Sequence, residues 1–323
     1  MRAENHTPSQ ATPPAQAEAA AQAEAAAQAE AAAQAEAAAQ AEAAAQAEVG
    51  PPALDAEALR RDVLRPGGLW RALEVVPSTG STNADLLALS RASKSAPEGA
   101  VLAAEEQTAG RGRMGRSWQS PPRAALTFSL LLRPAPVPPA RRGWLPLLAG
   151  VAVAAAVRTV AAVDARLKWP NDVLVGEAKL SGILAEAVGD AVIVGVGVNV
   201  SAAPPDLPQK AVPPTSLRAL GAASLAREPL LTEILTEFER WYLAWREAGG
   251  DPDRCGLRAE YTRLSATIGR RLQVELPGGQ LLSGLAVGVD SDGRLVVRVE
   301  PGTESAGEAT ELPVAAGDVV HLR

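Results

Sequence analysis

Three strand-length runs joined by two-residue turns constrain the fold of this chain most. Asp172 to Val175, Lys179 to Val188 and Val192 to Val200 are apolar or alternating, and the turns between them fall at Gly176-Glu177 and Gly189-Asp190. Connections this short reverse the chain into hairpins, and hairpins pair strands antiparallel, which argues against a wholly parallel, doubly wound sheet. Ala100 to Ala104 and Ala125 to Arg133 read as two more strands. Helices are expected over Leu54 to Trp70, stopped at Pro66-Gly67-Gly68, and over Asn83 to Arg91, Trp144 to Val163 and Pro229 to Glu247, with a loop at Pro134 to Pro139. The fold class expected is therefore α+β, with a mixed, largely antiparallel sheet.

From Thr267 onward the texture changes to short strands: Arg271 to Leu276, Leu281 to Val289, Leu295 to Glu300, Glu311 to Val314 and Val319 to Leu322. Turn signals at Pro277-Gly278-Gly279, Asp290 to Gly293 and Pro301-Gly302 separate them, a pattern expected of a small SH3-like β-barrel. At the other end, residues 15–48 repeat Ala-Gln-Ala-Glu-Ala-Ala every six residues. Six residues advance a helix by about 600°, so the glutamates wander around it and no apolar stripe forms. Three segments follow: a low-complexity, disordered or transiently helical tail over 1–52, a catalytic domain over 53–265 and the barrel over 266–323.

Only two histidines, His6 and His321, and one cysteine, Cys255, occur in 323 residues. Nucleophile mechanisms usually need a nearby imidazole and zinc sites several histidines or cysteines, so with His6 and His321 at opposite ends of the chain both classes are disfavoured. Chemistry is left to Lys, Arg, Asp, Glu and backbone groups, a set suited to phosphate and adenylate reactions. The single cysteine excludes an intramolecular disulfide, and Met-Arg-Ala-Glu-Asn-His carries no apolar signal core, so a cytoplasmic location is expected. The apolar stretch Leu145 to Val163 contains Arg158 and reads as a buried helix rather than a membrane span. A net charge of −6 speaks against a general nucleic-acid binder.

The most specific motif is Gly110-Arg-Gly-Arg-Met-Gly-Arg116, followed by Ser117-Trp118. Its glycines let backbone approach a ligand, while Arg111, Arg113 and Arg116 supply charge and forked donors. An arginine about 4 Å from a phosphoryl oxygen contributes on the order of 4 kcal/mol at an effective dielectric near 20, before desolvation. A solvated basic linker or an RNA contact of the RGG kind remains the alternative. Next come Lys168-Trp-Pro-Asn-Asp172 and Lys179-Leu-Ser-Gly-Ile183. Taken alone, Lys179 reads equally as an exposed lysine and Asp172 as a turn residue. Ser81-Thr82-Asn83 caps the next helix, and a cap is compatible with a ligand site because helix starts offer free N–H groups.

In this order, Ser81 to Asn83, Gln107 with Gly110 to Trp118, Lys168 to Asp172, Lys179 to Ile183 and Gly195-Val-Gly-Val-Asn199 resemble the biotin–protein ligase family over roughly residues 70–323. The resemblance implies a sheet related to class II aminoacyl-tRNA synthetases and a two-step reaction, in which biotin and MgATP give biotinyl-5′-adenylate and a lysine of a biotin carboxyl carrier protein or domain then attacks it. By position it assigns biotin and adenylate contacts to Ser81, Thr82, Asn83, Gln107, Gly110, Arg111, Gly112, Arg113, Gly115, Arg116, Trp118 and Lys179. Lys179 and Arg113 would stabilise charge at the α-phosphate, and Asp172 would lie near the phosphates, the metal or the incoming lysine. Asn171, Asn199 and Arg323 are weaker nucleotide candidates, and metal ligands are not assigned. Gly80, Met114 and Ser181 depart from residues common in the family. Lipoate or octanoate transfer and a nucleic-acid adaptor are the competing readings. No helix-turn-helix pattern precedes the catalytic region, so no DNA binding and no repressor activity are expected. No membrane role is expected either, and a homodimer is possible.

Overall fold

The computed structural model describes residues 51–323, apart from 93–95, 204–211, 277–278, 300–309, 316 and 323. The alanine-rich segment and Arg323, both singled out above, lie outside the described residues.

Seven strands form the main sheet: β1 (Ala72–Val76), β2 (Ala100–Ala104), β5 (Ala125–Leu132), β6 (Ala165–Lys168), β7 (Asp172–Val175), β8 (Ala178–Val188) and β9 (Ala191–Asn199). Their order is β1-β2-β5-β9-β8-β7-β6, with β1 and β2 parallel and every other pair antiparallel. The two turns expected at Gly176-Glu177 and Gly189-Asp190 close Val175 onto Ala178 and Val188 onto Ala191. Both glycines have positive φ, 57° and 59°, as hairpin turns of this length favour.

Strand alternation divides the sheet into two faces. Phe128, Leu130 and Leu132 of β5 and Val192, Val194, Val196 and Val198 of β9 join one large core with helices α3 (Trp144–Val160) and α4 (Arg227–Glu247). Helix α3 is buried along most of its length, consistent with its expected place in a core. Helix α4 is amphipathic, burying Leu230, Leu231, Ile234, Leu235, Phe238, Trp241, Tyr242 and Trp245 at helical spacing. On the opposite face, α2 (Thr82–Ala92) covers one end through Leu86, packed with Leu102, Leu131 and Ile193.

Several elements differ from the sequence reading. The leading helix, α1 (Ala56–Val63), is shorter than Leu54 to Trp70 because Asp55 accepts the Glu57 and Ala58 N–H groups at its start and the chain turns extended at Leu64. Strands β1 and β6 and helix α5 (Leu257–Leu264) are additional; each is only four to eight residues, too short for a clear period. The glycine-arginine segment is the tip of a separate two-stranded ribbon, β3 (Gln107–Arg111) with β4 (Ser117–Ser120), rather than a plain loop. The buried guanidinium of Arg227 supports this region, pairing with Glu105 at 2.7 Å while Glu105 also accepts the Leu54 N–H.

The C-terminal strands β10 (Arg271–Glu275), β11 (Leu281–Val289), β12 (Leu295–Val299), β13 (Thr310–Val314) and β14 (Asp318–His321) lie close to where the sequence places them. Their order is β13-β12-β11-β10-β14, and among the described residues no pairing joins β13 to β14. The C-terminal part is thus β-rich and open at that seam, where a closed barrel was expected.

Candidate active site

The face of the sheet that α2 leaves uncovered is short of side chains. Ser129 on β5 lies opposite Gly195, which lies opposite Leu184 on β8; one step along, Thr127, Gly197 and Gly182 form the next row. The bare positions are occupied from above. A methyl group at Gly195 would collide with the Asn83 amide, one at Gly197 would stand 2.5 Å from the Trp118 ring, and one at Gly182 would meet both Trp118 and the Lys179 ammonium at 3.2 Å. The glycines therefore form a floor over which the Trp118 indole lies. Among the described residues its buried N–H has no acceptor.

At one end of the floor a polar chain runs from the ribbon to β8. The Thr82 N–H donates to Gln107 Oε1 at 2.9 Å, the Thr82 hydroxyl lies 2.7 Å from Ser129 Oγ, and Ser129 donates to Asn83 Oδ1 at 2.6 Å. Asn83 Nδ2 in turn donates to Glu186 Oε2 at 2.7 Å. Ser81 caps α2, its carbonyl accepting the Asp85 N–H. All three of Ser81, Thr82 and Asn83 are buried.

Charge gathers at the other end. The ribbon turns at Gly112, whose N–H donates to the Arg116 carbonyl, and Met114 adopts a left-handed φ of 55°. Arg113 Nη1 donates to Asn171 Oδ1 at 3.0 Å. Asn171 is itself fixed to β8, its side-chain N–H donating to the Ile183 carbonyl and its own carbonyl accepting the Ile183 N–H, both at 2.9 Å. Lys179 Nζ makes an ion pair with Asp172 Oδ1 at 2.6 Å, off the direction of a proper hydrogen bond. An open cavity of about 510 Å³ lies between the ribbon tip, residues 111–116, and Leu184 and Glu186 on β8.

The C-terminal part holds the turn that carries Asn171 and Asp172. Trp169, on the cis peptide Trp169–Pro170, donates its backbone N–H to Thr267 Oγ1 and its indole N–H to the Gly293 carbonyl, each at 3.1 Å. Thr267 Oγ1 also lies 3.2 Å from His321 Nε2. Burial, then the charges of Lys168 and Arg270, push the His321 pKa down to about 4.

The chain is similar to proteins of known family. Residues 74–200 match the model of the biotin/lipoate A/B protein ligase family, and residues 267–322 match that of the biotin protein ligase C-terminal domain. A biotin–[acetyl-CoA-carboxylase] ligase of Mycobacterium tuberculosis is 45% identical over 276 residues, covering 84% of this chain and 97% of that protein. The chain belongs to the biotin protein ligase family. Another member, the bifunctional ligase/repressor of Bacillus subtilis, is 33% identical across 71% of this chain and 69% of its own length. Among solved structures, the biotin protein ligase from Aquifex aeolicus in complex with biotin and ATP superposes with a TM-score of 0.64 at 25% identity, covering 78% of this chain and all of that one.

In this biotin protein ligase the residues expected from sequence fall into two groups. Thr82, Asn83 and Gln107 meet at the polar end with Ser81 beside them, while Arg113, Asn171, Asp172 and Lys179 meet at the charged end, with Trp118 between. Arg111, Gly112, Gly115 and Arg116 line the cavity; Gly110 is pressed against the Trp118 carbonyl, where a side chain would clash. Asn199 spends its side-chain N–H on the Thr215 carbonyl, holding the segment that crosses the end of β8. Ser129 and Glu186 were missed. Their only signal was a polar residue at an alternating position of a largely apolar strand.

Proposed function

We propose that this chain activates biotin with MgATP and transfers it to a lysine of a biotin carboxyl carrier protein. In the first step the biotin carboxylate attacks the α-phosphorus of ATP, forming biotinyl-5′-adenylate and releasing pyrophosphate. In the second, the carrier lysine amine attacks the acyl carbonyl, forming an amide and releasing AMP and a proton. Thr82, Gln107 and Ser81 hold the ureido ring, the glycine floor and Trp118 enclose the thiophane and acyl chain, and Trp118 gains an acceptor for its enclosed N–H. Lys179 and Arg113 neutralise charge developing at the α-phosphate; Asp172 holds Lys179 until the nucleotide arrives. Asn199 and Arg323 remain nucleotide candidates in this reading. The arginine ribbon closes over the adenylate, keeping a reactive mixed anhydride from water until the lysine enters.

One observation carries this reading: a hydrogen-bonding end and a cationic end face each other along a single side-chain-poor floor, a layout matched to a ureido acid joined to a phosphate. Biotin-dependent pyrophosphate exchange with ATP tests it, with lipoate as the control. Exchange with lipoate instead of biotin would overturn it. We assign residues 53–265 to the catalytic domain and 266–323 to a C-terminal domain of SH3-like barrel type, and relate the main sheet to that of class II aminoacyl-tRNA synthetases. The cytosol is the proposed location. Repressor activity is not part of the proposal; salt-dependent binding to a biotin-operon operator tests that point.

A further inference from the structure

Counting hydrogens along the polar chain shows that its direction is set at one end. Asn83 Nδ2 faces the Leu184 carbonyl at 3.3 Å and the Glu186 carboxylate at 2.7 Å, two groups that only accept. The amide orientation is thereby fixed, and Asn83 Oδ1 must accept from Ser129 at 2.6 Å. Ser129 has one hydrogen and has now used it. At the 2.7 Å contact with Thr82 it offers only a lone pair, so any hydrogen in that contact is the Thr82 hydrogen. Gln107 Oε1, 3.0 Å from the same hydroxyl, takes the Thr82 backbone N–H and is likewise an acceptor. The hydrogens of Ser129 and Asn83 therefore run toward Glu186, the one Thr82 hydrogen is claimed by two acceptors, Ser129 and Gln107, and Thr82 Oγ1 meets a ligand with lone pairs.

We propose that Glu186 is a positioning residue that fixes the hydrogen-bond polarity of the pocket, so that it selects a cyclic urea N–H over an isosteric acceptor. This rests on the biotin ligase reading above. Removing the charge alone breaks the lock. Glu186→Gln presents either an oxygen or an N–H to Asn83, both amide orientations become accessible, and Ser129 can turn its hydrogen onto a Thr82 lone pair, where it competes with the ligand N–H. Asn83→Asp added to Glu186→Gln restores the lock, because the new carboxylate accepts from both the introduced amide and Ser129.

The test compares biotin with an analogue in which ring oxygen replaces one ureido N–H, using pyrophosphate exchange. For Glu186→Gln the ratio of kcat/KM values, biotin over analogue, should fall about tenfold, equivalent to about 1.4 kcal/mol. KM for biotin should rise while KM for ATP stays put. The Asn83→Asp/Glu186→Gln double variant should recover the ratio to within about twofold of wild type. A Glu186→Gln protein that loses both substrates equally, or a folded double variant that leaves the ratio low, would overturn the proposal. Wild-type protein without biotin-dependent exchange would instead overturn the ligase reading, so the two failures are distinct.

Discussion

The ammonium of Lys179 is paired with the carboxylate of Asp172 at 2.6 Å, with side-chain exposures of 27% and 15%. In this state the cation proposed to meet the α-phosphate is already neutralised, and a nucleotide has to take it from Asp172. Lys179→Ala should slow adenylate formation about 10²–10³-fold, the cost typical of losing one donor to developing charge. Transfer from preformed biotinyl-adenylate to the carrier should suffer less; rapid-quench measurement of the two half-reactions separates them. Asp172→Asn leaves a partly buried lysine unpaired and should cost roughly 1–2 kcal/mol in urea denaturation, below the value for a fully buried pair.

Retention of the adenylate should depend on the contact between Arg113 and Asn171. Arg113→Gly removes both the charge and the 3.0 Å bond that ties the ribbon to the β6–β7 turn. Leakage of biotinyl-adenylate and labelling of bystander lysines should rise severalfold, read as biotin incorporated into albumin present in the assay. Asn171→Ala keeps the arginine and removes its anchor, so it should leak as well, to a smaller extent. Unchanged retention and rate in Arg113→Gly would remove the ribbon from the role of a lid.

The floor makes a separate prediction through Gly197. Its backbone tolerates alanine, being ordinary strand with no positive φ, but the added methyl group would stand 2.5 Å from the Trp118 ring. Trp118 sits on the ribbon and can move aside, so Gly197→Ala should fold with a stability change within about 1 kcal/mol. Displaced indole can no longer enclose the substrate, and Kd for biotin should increase by about tenfold or more, the size of effect expected when a packed aromatic wall is lost. Isothermal titration with biotin alone measures this without the chemistry.

Much of this layout is legible in the sequence because its carriers are short-range. The two glycine turns set the hairpins, the hairpins set antiparallel pairing, and period-2 alternation gives each strand its buried face. The charged cluster was legible too, since Lys168 to Asp172 and Lys179 lie within a dozen residues of each other. What the sequence hides is tertiary. Ser129 and Glu186 are distant from Asn83 by 46 and 103 residues, and only the pairing of β5, β9 and β8 brings them to one end of α2. The parallel β1–β2 pair and the short β6 rest on long connections and on bridges such as Leu167 to Ser265, which no local period announces. The resemblance assigns Trp118 a biotin or adenylate contact, yet its place above Gly182 and Gly197 depends on the ribbon folding back over the sheet.

Acid should weaken the protein through His321. Thr267 Oγ1 accepts the Trp169 N–H and keeps its own hydrogen, which it can donate to His321 Nε2 when the ring is neutral. Burial, Lys168 and Arg270 hold the folded pKa at about 4, against about 6.5 for an unfolded histidine, with Glu177 opposing weakly. The unfolded chain therefore binds more protons between those values, and stability rises with pH across that window. It is complete above about pH 6.5 and declines as pH falls toward 4. Allowing for the ring's partial exposure, the loss at this site should reach ~1–2 kcal/mol. His321→Gln, which keeps a side chain able to accept from Thr267, should show a smaller fall between about pH 7 and pH 4.5 in urea denaturation. Equal falls in the two proteins would place the acid sensitivity elsewhere. Because Thr267 also anchors Trp169, the wild-type adenylation rate should decline over the same window more steeply than that of His321→Gln.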